Sequence, residues 1–73
     1  MYKVFSAQTF STNADGTRSM HVILVSDEDP KTLPTKGSDV GMEANEIFAP
    51  MSMLIVPSAG KMYLHDGEKF YPF

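Results

Sequence analysis

Ser52-Met-Leu-Ile-Val-Pro-Ser-Ala-Gly-Lys-Met-Tyr-Leu-His-Asp-Gly-Glu-Lys-Phe-Tyr-Pro-Phe73 reads as three short β-strands joined by two tight turns. Apolar side chains recur at strand spacing, Ala59-Gly60 and Asp66-Gly67 mark the reversals, and β-branched and aromatic residues favour a pleated surface. Within the first of these strands Met53, Ile55 and Pro57 stand opposite Ser52, Leu54 and Val56, so both faces are apolar. In the second, Lys61, Tyr63 and His65 alternate with Met62 and Leu64. Phe70, Tyr71 and Phe73 supply the third.

Working back toward the N-terminus, Tyr2 to Phe10 alternates Tyr2, Val4, Ser6, Gln8 and Phe10 with Lys3, Phe5, Ala7 and Thr9. That is the pattern of a strand. Asp15-Gly16, inside Ser11-Thr-Asn-Ala-Asp-Gly-Thr17, is the expected reversal into a second strand from about Arg18 to Ser26. Val22-Ile-Leu-Val25 in that strand is apolar at every position, which requires cover on both faces of the sheet. Asp27 to Gly37 is a hydrophilic connection with two prolines, expected to be extended and exposed. Asp39 to Ile47 has room for one short helical turn capped by Asp39 and closed before Ala49-Pro50.

The expectation is therefore one mainly all-β domain over 1–73: an N-terminal hairpin (2–26), an irregular connection (27–50) and a C-terminal three-stranded meander (51–73). Five antiparallel strands would form a compact barrel or a two-layer sandwich.

The chain has 73 residues, and a domain near this size buries only about 60% of the surface its unfolded form exposes. There is no cysteine to staple it and no spaced ligand set for a structural metal. Leaving several of Val22, Leu24, Leu54, Val56, Phe70 and Phe73 wet would forfeit about 1.5–3 kcal/mol each, comparable in sum to a domain's net stability. Either a tightly closed barrel shelters them or a partner surface does. Val22, Leu24, Met53, Ile55, Phe70 and Phe73 are accordingly the candidates for core or inter-subunit packing. Asp27, Glu28, Asp29, Leu33 and Lys36 are the candidates for a contact loop. Six methionines are many for this length, and Met51 and Met53 suit an adaptable interface.

Other chemistry has little to stand on. The net charge is -3, and the six basic residues are scattered, which argues against nucleic acid as a partner. No apolar run approaches the roughly 18 residues of a membrane span, and Met1-Tyr-Lys-Val-Phe-Ser6 lacks the ordered regions of a signal peptide, so synthesis in a cytoplasm is expected. His21 and His65 have no metal-ligand spacing between them. Asp27, Glu28 and Asp29, with Asp39 and Glu43, lack the order of a calcium loop. No nucleophile elbow or Gly-rich phosphate cradle appears. The expectation is a non-enzyme without catalytic residues, metal or cofactor.

Three segments carry a resemblance: Leu33-Pro-Thr-Lys-Gly-Ser-Asp-Val40; Phe48-Ala-Pro50 leading into Ser52-Met-Leu-Ile-Val56; and Lys61-Met-Tyr-Leu-His-Asp-Gly-Glu-Lys-Phe-Tyr71. In this order they resemble small virion accessory proteins of tailed bacteriophages and prophages, of the head-fibre or capsid-decoration type. Met51 stands where that group tends to have glycine, and Phe70 or Tyr71 where it tends to have tryptophan. The resemblance implies a virion component, made in the host cytoplasm, that binds a capsid or neck lattice as a repeated copy and associates with itself, a trimer being one such arrangement. A small phage or bacterial interaction module that inhibits a host protein through the 27–37 loop is the alternative.

Overall fold

The computed structural model covers Met1–Phe73 and is all-β apart from two short 3-10 turns. Its strands are β1 (Tyr2–Thr12), β2 (Arg18–Ser26), β3 (Glu46–Phe48), β4 (Met53–Val56), β5 (Lys61–His65) and β6 (Phe70–Pro72). They form one mixed sheet in the order β1-β2-β4-β5-β6, with β3 also paired to β2.

Both hairpin regions expected from the sequence are present. β1 and β2 are antiparallel, and Asp15 makes the reversal by accepting hydrogen bonds from the Thr17 amide (3.0 Å) and hydroxyl (2.6 Å) while Gly16 takes φ +91°. β4, β5 and β6 form an antiparallel meander. Between β5 and β6 Asp66 accepts the amides of Glu68 (2.8 Å) and Lys69 (2.9 Å), and Gly67 takes φ +107°.

The joining of the two halves differs from the expected all-antiparallel arrangement. β2 runs parallel to both β3 and β4, because the long connection after Ser26 crosses over one face of the sheet and re-enters in the direction of β2. A sixth strand, β3, thus lies inside the segment expected to be irregular. The helical turn expected within 39–47 is a 3-10 turn shifted to Gly37–Val40 and ended by left-handed Gly41. β1 and β6 remain unpaired edges, so the sheet is open and the layered alternative to a barrel applies. One layer is the sheet; the other is the connection, whose Leu33, Val40 and Met42 pack on the core.

β3 and β4 line up end to end along one edge of β2, with Ala49–Ser52 looped out between them. Ser52 fills the break. Its fully buried hydroxyl accepts the Val22 amide (3.1 Å), supplying the rung missing there, and donates to the Met20 carbonyl (3.2 Å), which also accepts the Ala49 amide (2.8 Å). The loop itself turns through Met51 at φ +69°, a left-handed conformation that a side chain resists and glycine does not.

The core lies between sheet and connection. Met20, Val22 and Leu24 from β2, Phe48 from β3, Leu54 and Val56 from β4, Tyr63 from β5 and Phe70 join Val40 in a single cluster.

Candidate interaction face

The strand register assigns every side chain to one of two faces. Those beside Met20, Val22 and Leu24 enter the core. Those beside His21, Ile23 and Val25 point the other way, where no segment crosses: the long connection is on the core side and the remaining links are tight turns. Across this open face two rows follow from the pairing. One runs Ser6, Ile23, Met53, Leu64, Tyr71; the next runs Lys3, Val25, Ile55, Met62, with Phe73 in line because its amide donates to the Met62 carbonyl (2.9 Å). Ile23, Val25, Met53, Ile55, Met62 and Leu64 are only half-buried, sheltered mainly by one another.

Two β-bulges interrupt β1 beside this face. The β1–β2 register slips between Val4 and Ser6 and again between Thr9 and Ser11, leaving Phe5 and Phe10 as the extra residues. Val4 and Thr9 sit on the core side, whereas Ser6 and Ser11 pair with Ile23 and Ser19 on the open side. Phe5 and Phe10, left over between these pairs, are 70% and 65% exposed. Ile47, opposite Ser19, is on the open side and exposed as well. Of the seven large hydrophobic residues that are exposed, Ile47 and Tyr71 are placed on this face by the register and Phe73 by its bond to Met62.

The face carries little charge, Lys3 on β1 and Lys69, whose Nζ lies 4.9 Å from the Tyr71 ring centroid. Lys3 is the one Lys or Arg at its strand positions, and none of the nine Asp and Glu occupies one. Glu46, the one acid within a strand, is turned to the core side, where it pairs with Arg18 at 2.8 Å.

The candidates for core or interface packing are thus divided by the structure. Val22, Leu24 and Phe70 are core; Met53, Ile55 and Phe73 belong to the open face. Sequence reasoning missed Phe5 and Phe10, since a bulge has no periodic signature, and passed over Met62 and Leu64, although their alternation with Tyr63 and His65 marks them as a second apolar side.

The candidate contact loop is folded onto the sheet. The Asp29 carboxylate accepts from Lys61 Nζ (2.8 Å) and the Tyr63 hydroxyl (2.8 Å), which holds it below the usual carboxylate range and raises both partners. The Asp27 carbonyl accepts the Ser58 hydroxyl at 3.1 Å. Leu33 packs against the core, and Lys36 precedes the 3-10 turn. The Asp39 carboxylate takes the Thr35 amide (2.9 Å), the Thr35 hydroxyl (3.0 Å) and the Lys36 amide (3.2 Å), and these bonds lower its pKa. Asp27 Oδ1 accepts from the N-terminal ammonium at 2.7 Å, which lowers its pKa, and Glu28 is exposed.

The two histidines lie on opposite faces. His21 Nε2 is 2.9 Å from the Met51 carbonyl oxygen on the open side. His65 is in the core, packed edge-on against Phe48 and Phe70, and its Nδ1 accepts the Gly67 amide at 3.1 Å. The largest depression, about 410 Å³ beside Phe73 and Met62, opens next to the same apolar face. Comparison with protein-family models, with curated proteins and with solved structures finds no match to this chain.

Proposed function

We propose that the protein is a non-enzymatic structural subunit of a tailed-phage virion, a capsid-decoration or head-fibre-type accessory that binds the capsid or neck lattice as a small symmetric oligomer. The observation that carries the assembly part is the open face: a sheet with one side packed by its own connection and the other side apolar, aromatic and nearly uncharged. Such a face is stable in water only at the expense of solvating several large side chains, and a subunit that buries it in an assembly recovers that free energy. The phage setting rests on the resemblance of the Leu33–Val40, Phe48–Val56 and Lys61–Tyr71 segments. A lattice multiplies a modest contact by repetition, which suits a domain with little surface of its own to spend on binding.

The test is whether the protein travels with particles. In purified virions from an induced lysogen or infected culture carrying the gene, the subunit bands with the capsid through a density gradient in a fixed ratio to the major capsid protein. A protein that stays in the soluble fraction, and that is recovered from lysate with one stoichiometric host protein, belongs instead to the interaction-module alternative.

A further inference from the structure

We infer that Asp66-Gly67 is a site of covalent self-modification, where the Gly67 amide nitrogen closes on the Asp66 side-chain carboxyl to give a succinimide that opens to isoaspartate, with His65 as the base. The site is independent of the virion reading, since every group it uses belongs to the β5–β6 turn.

Ring closure of this kind is open to an Asp-Gly pair because glycine has no Cβ to hinder the approach of its amide. The chain has two such pairs, Asp15-Gly16 and Asp66-Gly67, both in turns with the glycine at positive φ. In each the carboxylate is folded over its own C-terminal peptide by amides further along, that of Thr17 in the first and those of Glu68 and Lys69 in the second. The acceptor of the glycine N–H separates them. The Gly16 amide donates to the Asn13 carbonyl (3.1 Å), which is no base. The Gly67 amide donates to His65 Nδ1 (3.1 Å), a ring nitrogen able to take the proton. Asp66 Oδ1 already accepts the amides of Glu68 (2.8 Å) and Lys69 (2.9 Å), so charge forming on that oxygen as Cγ becomes tetrahedral meets donors in place.

The surroundings hold His65 to this task. It is 4% exposed and packed edge-on against Phe48 and Phe70, and its buried Nε2 has no partner, which leaves Nδ1 as the basic atom of the neutral ring. Asp66 to Lys69 are exposed, so water reaches the ring to open it.

The steps balance without a co-reactant. Nδ1 takes the Gly67 amide proton as the nitrogen bonds to Cγ of the protonated carboxyl; the imidazolium then gives that proton to the carboxyl hydroxyl, the C–O bond breaks and water leaves. Water next adds to one of the two imide carbonyls. Cleavage at Cγ restores aspartate. Cleavage at the main-chain carbonyl leaves the backbone running through Cβ and Cγ, longer by one methylene between β5 and the three-residue β6, with the carboxylate that organised the turn displaced.

The reactive state shares one proton between Asp66 and His65, so the rate falls in acid, where both are protonated, and in base, where neither is. The Phe48 and Phe70 rings against His65 do not titrate, and Asp66 is the charge that faces it. Both groups titrate below their ordinary values, Asp66 because amides hold its anion and His65 because it is buried, which places the maximum below about pH 6.5.

The test is to age the unmodified protein across a pH series, digest it and measure isoaspartate at each aspartate by mass spectrometry. Isoaspartate accumulates at Asp66 at least about tenfold faster than at Asp15, and in heavy-oxygen water each opened ring carries one labelled oxygen. The alkaline fall at Asp66 follows His65, whereas that at Asp15 begins at its own carboxyl, below about pH 4. His65→Phe, which keeps the ring packing and removes Nδ1, lowers the Asp66 rate to that of Asp15. Equal rates at the two aspartates overturn the inference, as does an alkaline fall at Asp66 that matches that of Asp15. A His65→Phe protein in which Asp66 reacts as fast or faster also overturns it, because Nδ1 then restrains the amide. Should His65→Phe fail to fold, the comparison of sites and of pH profiles in the unmodified protein decides alone.

Discussion

Ser52 and His65 sit beside each other in the ladder, the His65 amide donating to the Ser52 carbonyl at 2.9 Å, and each has a buried polar atom whose fate can be measured. The Ser52 hydroxyl is the acceptor for the Val22 amide in a segment of β2 that has no backbone partner on that side. Ser52→Ala leaves that amide dry and unpaired, which costs about 2 kcal/mol, read as a lower urea midpoint with an unchanged slope. Burial lowers the pKa of His65, with Asp66 only partly opposing it. Because the folded value lies below the unfolded one, the unfolded chain binds more protons. The stability in question is complete above the unfolded value, near pH 6.5, and is lost as pH falls through the folded one. His65→Phe keeps the contacts with Phe48 and Phe70 but loses the acceptor for the Gly67 amide. It also removes the buried, unpartnered Nε2, and its melting temperature changes less than that of the unmodified protein from about pH 6.5 down to about pH 4.5. An equal change in both proteins would refute the assignment to His65.

At the scale of elements, Gly37 shows how the connection is fitted to the sheet. It is buried in the 3-10 turn, and a Cβ there would overlap the Glu46 carbonyl oxygen at the start of β3. Gly37→Ala pushes β3 away from β2 and costs about 1–3 kcal/mol, seen as lost thermal stability and faster amide exchange at Glu46–Phe48. Such a contact has no signature in a single sequence. The turns at Asp15-Gly16 and Asp66-Gly67 were legible because local chemistry suffices to make them, and so was strand character wherever β-branched and aromatic residues cluster. Strand direction was not: alternation is identical for a parallel and an antiparallel neighbour. The hint available was the unbroken apolar run in Val22–Val25 and Met53–Val56, which is characteristic of strands inside parallel sheets. β3 is three residues long and too short to show a period. The bulges at Phe5 and Phe10 escaped for the converse reason, since they interrupt a period that the sequence otherwise displays. Half of the candidate face was thus visible, in Met53, Ile55 and Phe73, and the β1 half was not.

For the whole molecule, the question is how a chain of this size divides its apolar residues between holding itself together and holding something else. Two substitutions of similar severity on paper separate the roles. Leu24 has no exposed surface and lies among the core side chains of β2 and β4; Leu24→Ala removes buried contacts and costs about 2–5 kcal/mol, enough to lower the melting temperature markedly or unfold a domain this small. Ile55 is one residue from fully buried Leu54 but points to the other side, where it is half-exposed. Ile55→Glu places a carboxylate on a face that has none. In an isolated subunit the charge stays hydrated and the melting temperature at low protein concentration changes little; in an assembly it must be buried opposite apolar groups, and association is abolished. Circular dichroism melts and light scattering on both variants give the contrast: stability lost with Leu24→Ala, association lost with Ile55→Glu. If Ile55→Glu unfolds the subunit even at high dilution while Phe5→Lys and Tyr71→Lys leave association intact, the outer face is shelter for the fold and not a surface for contact, and the division between the two sides of the sheet fails.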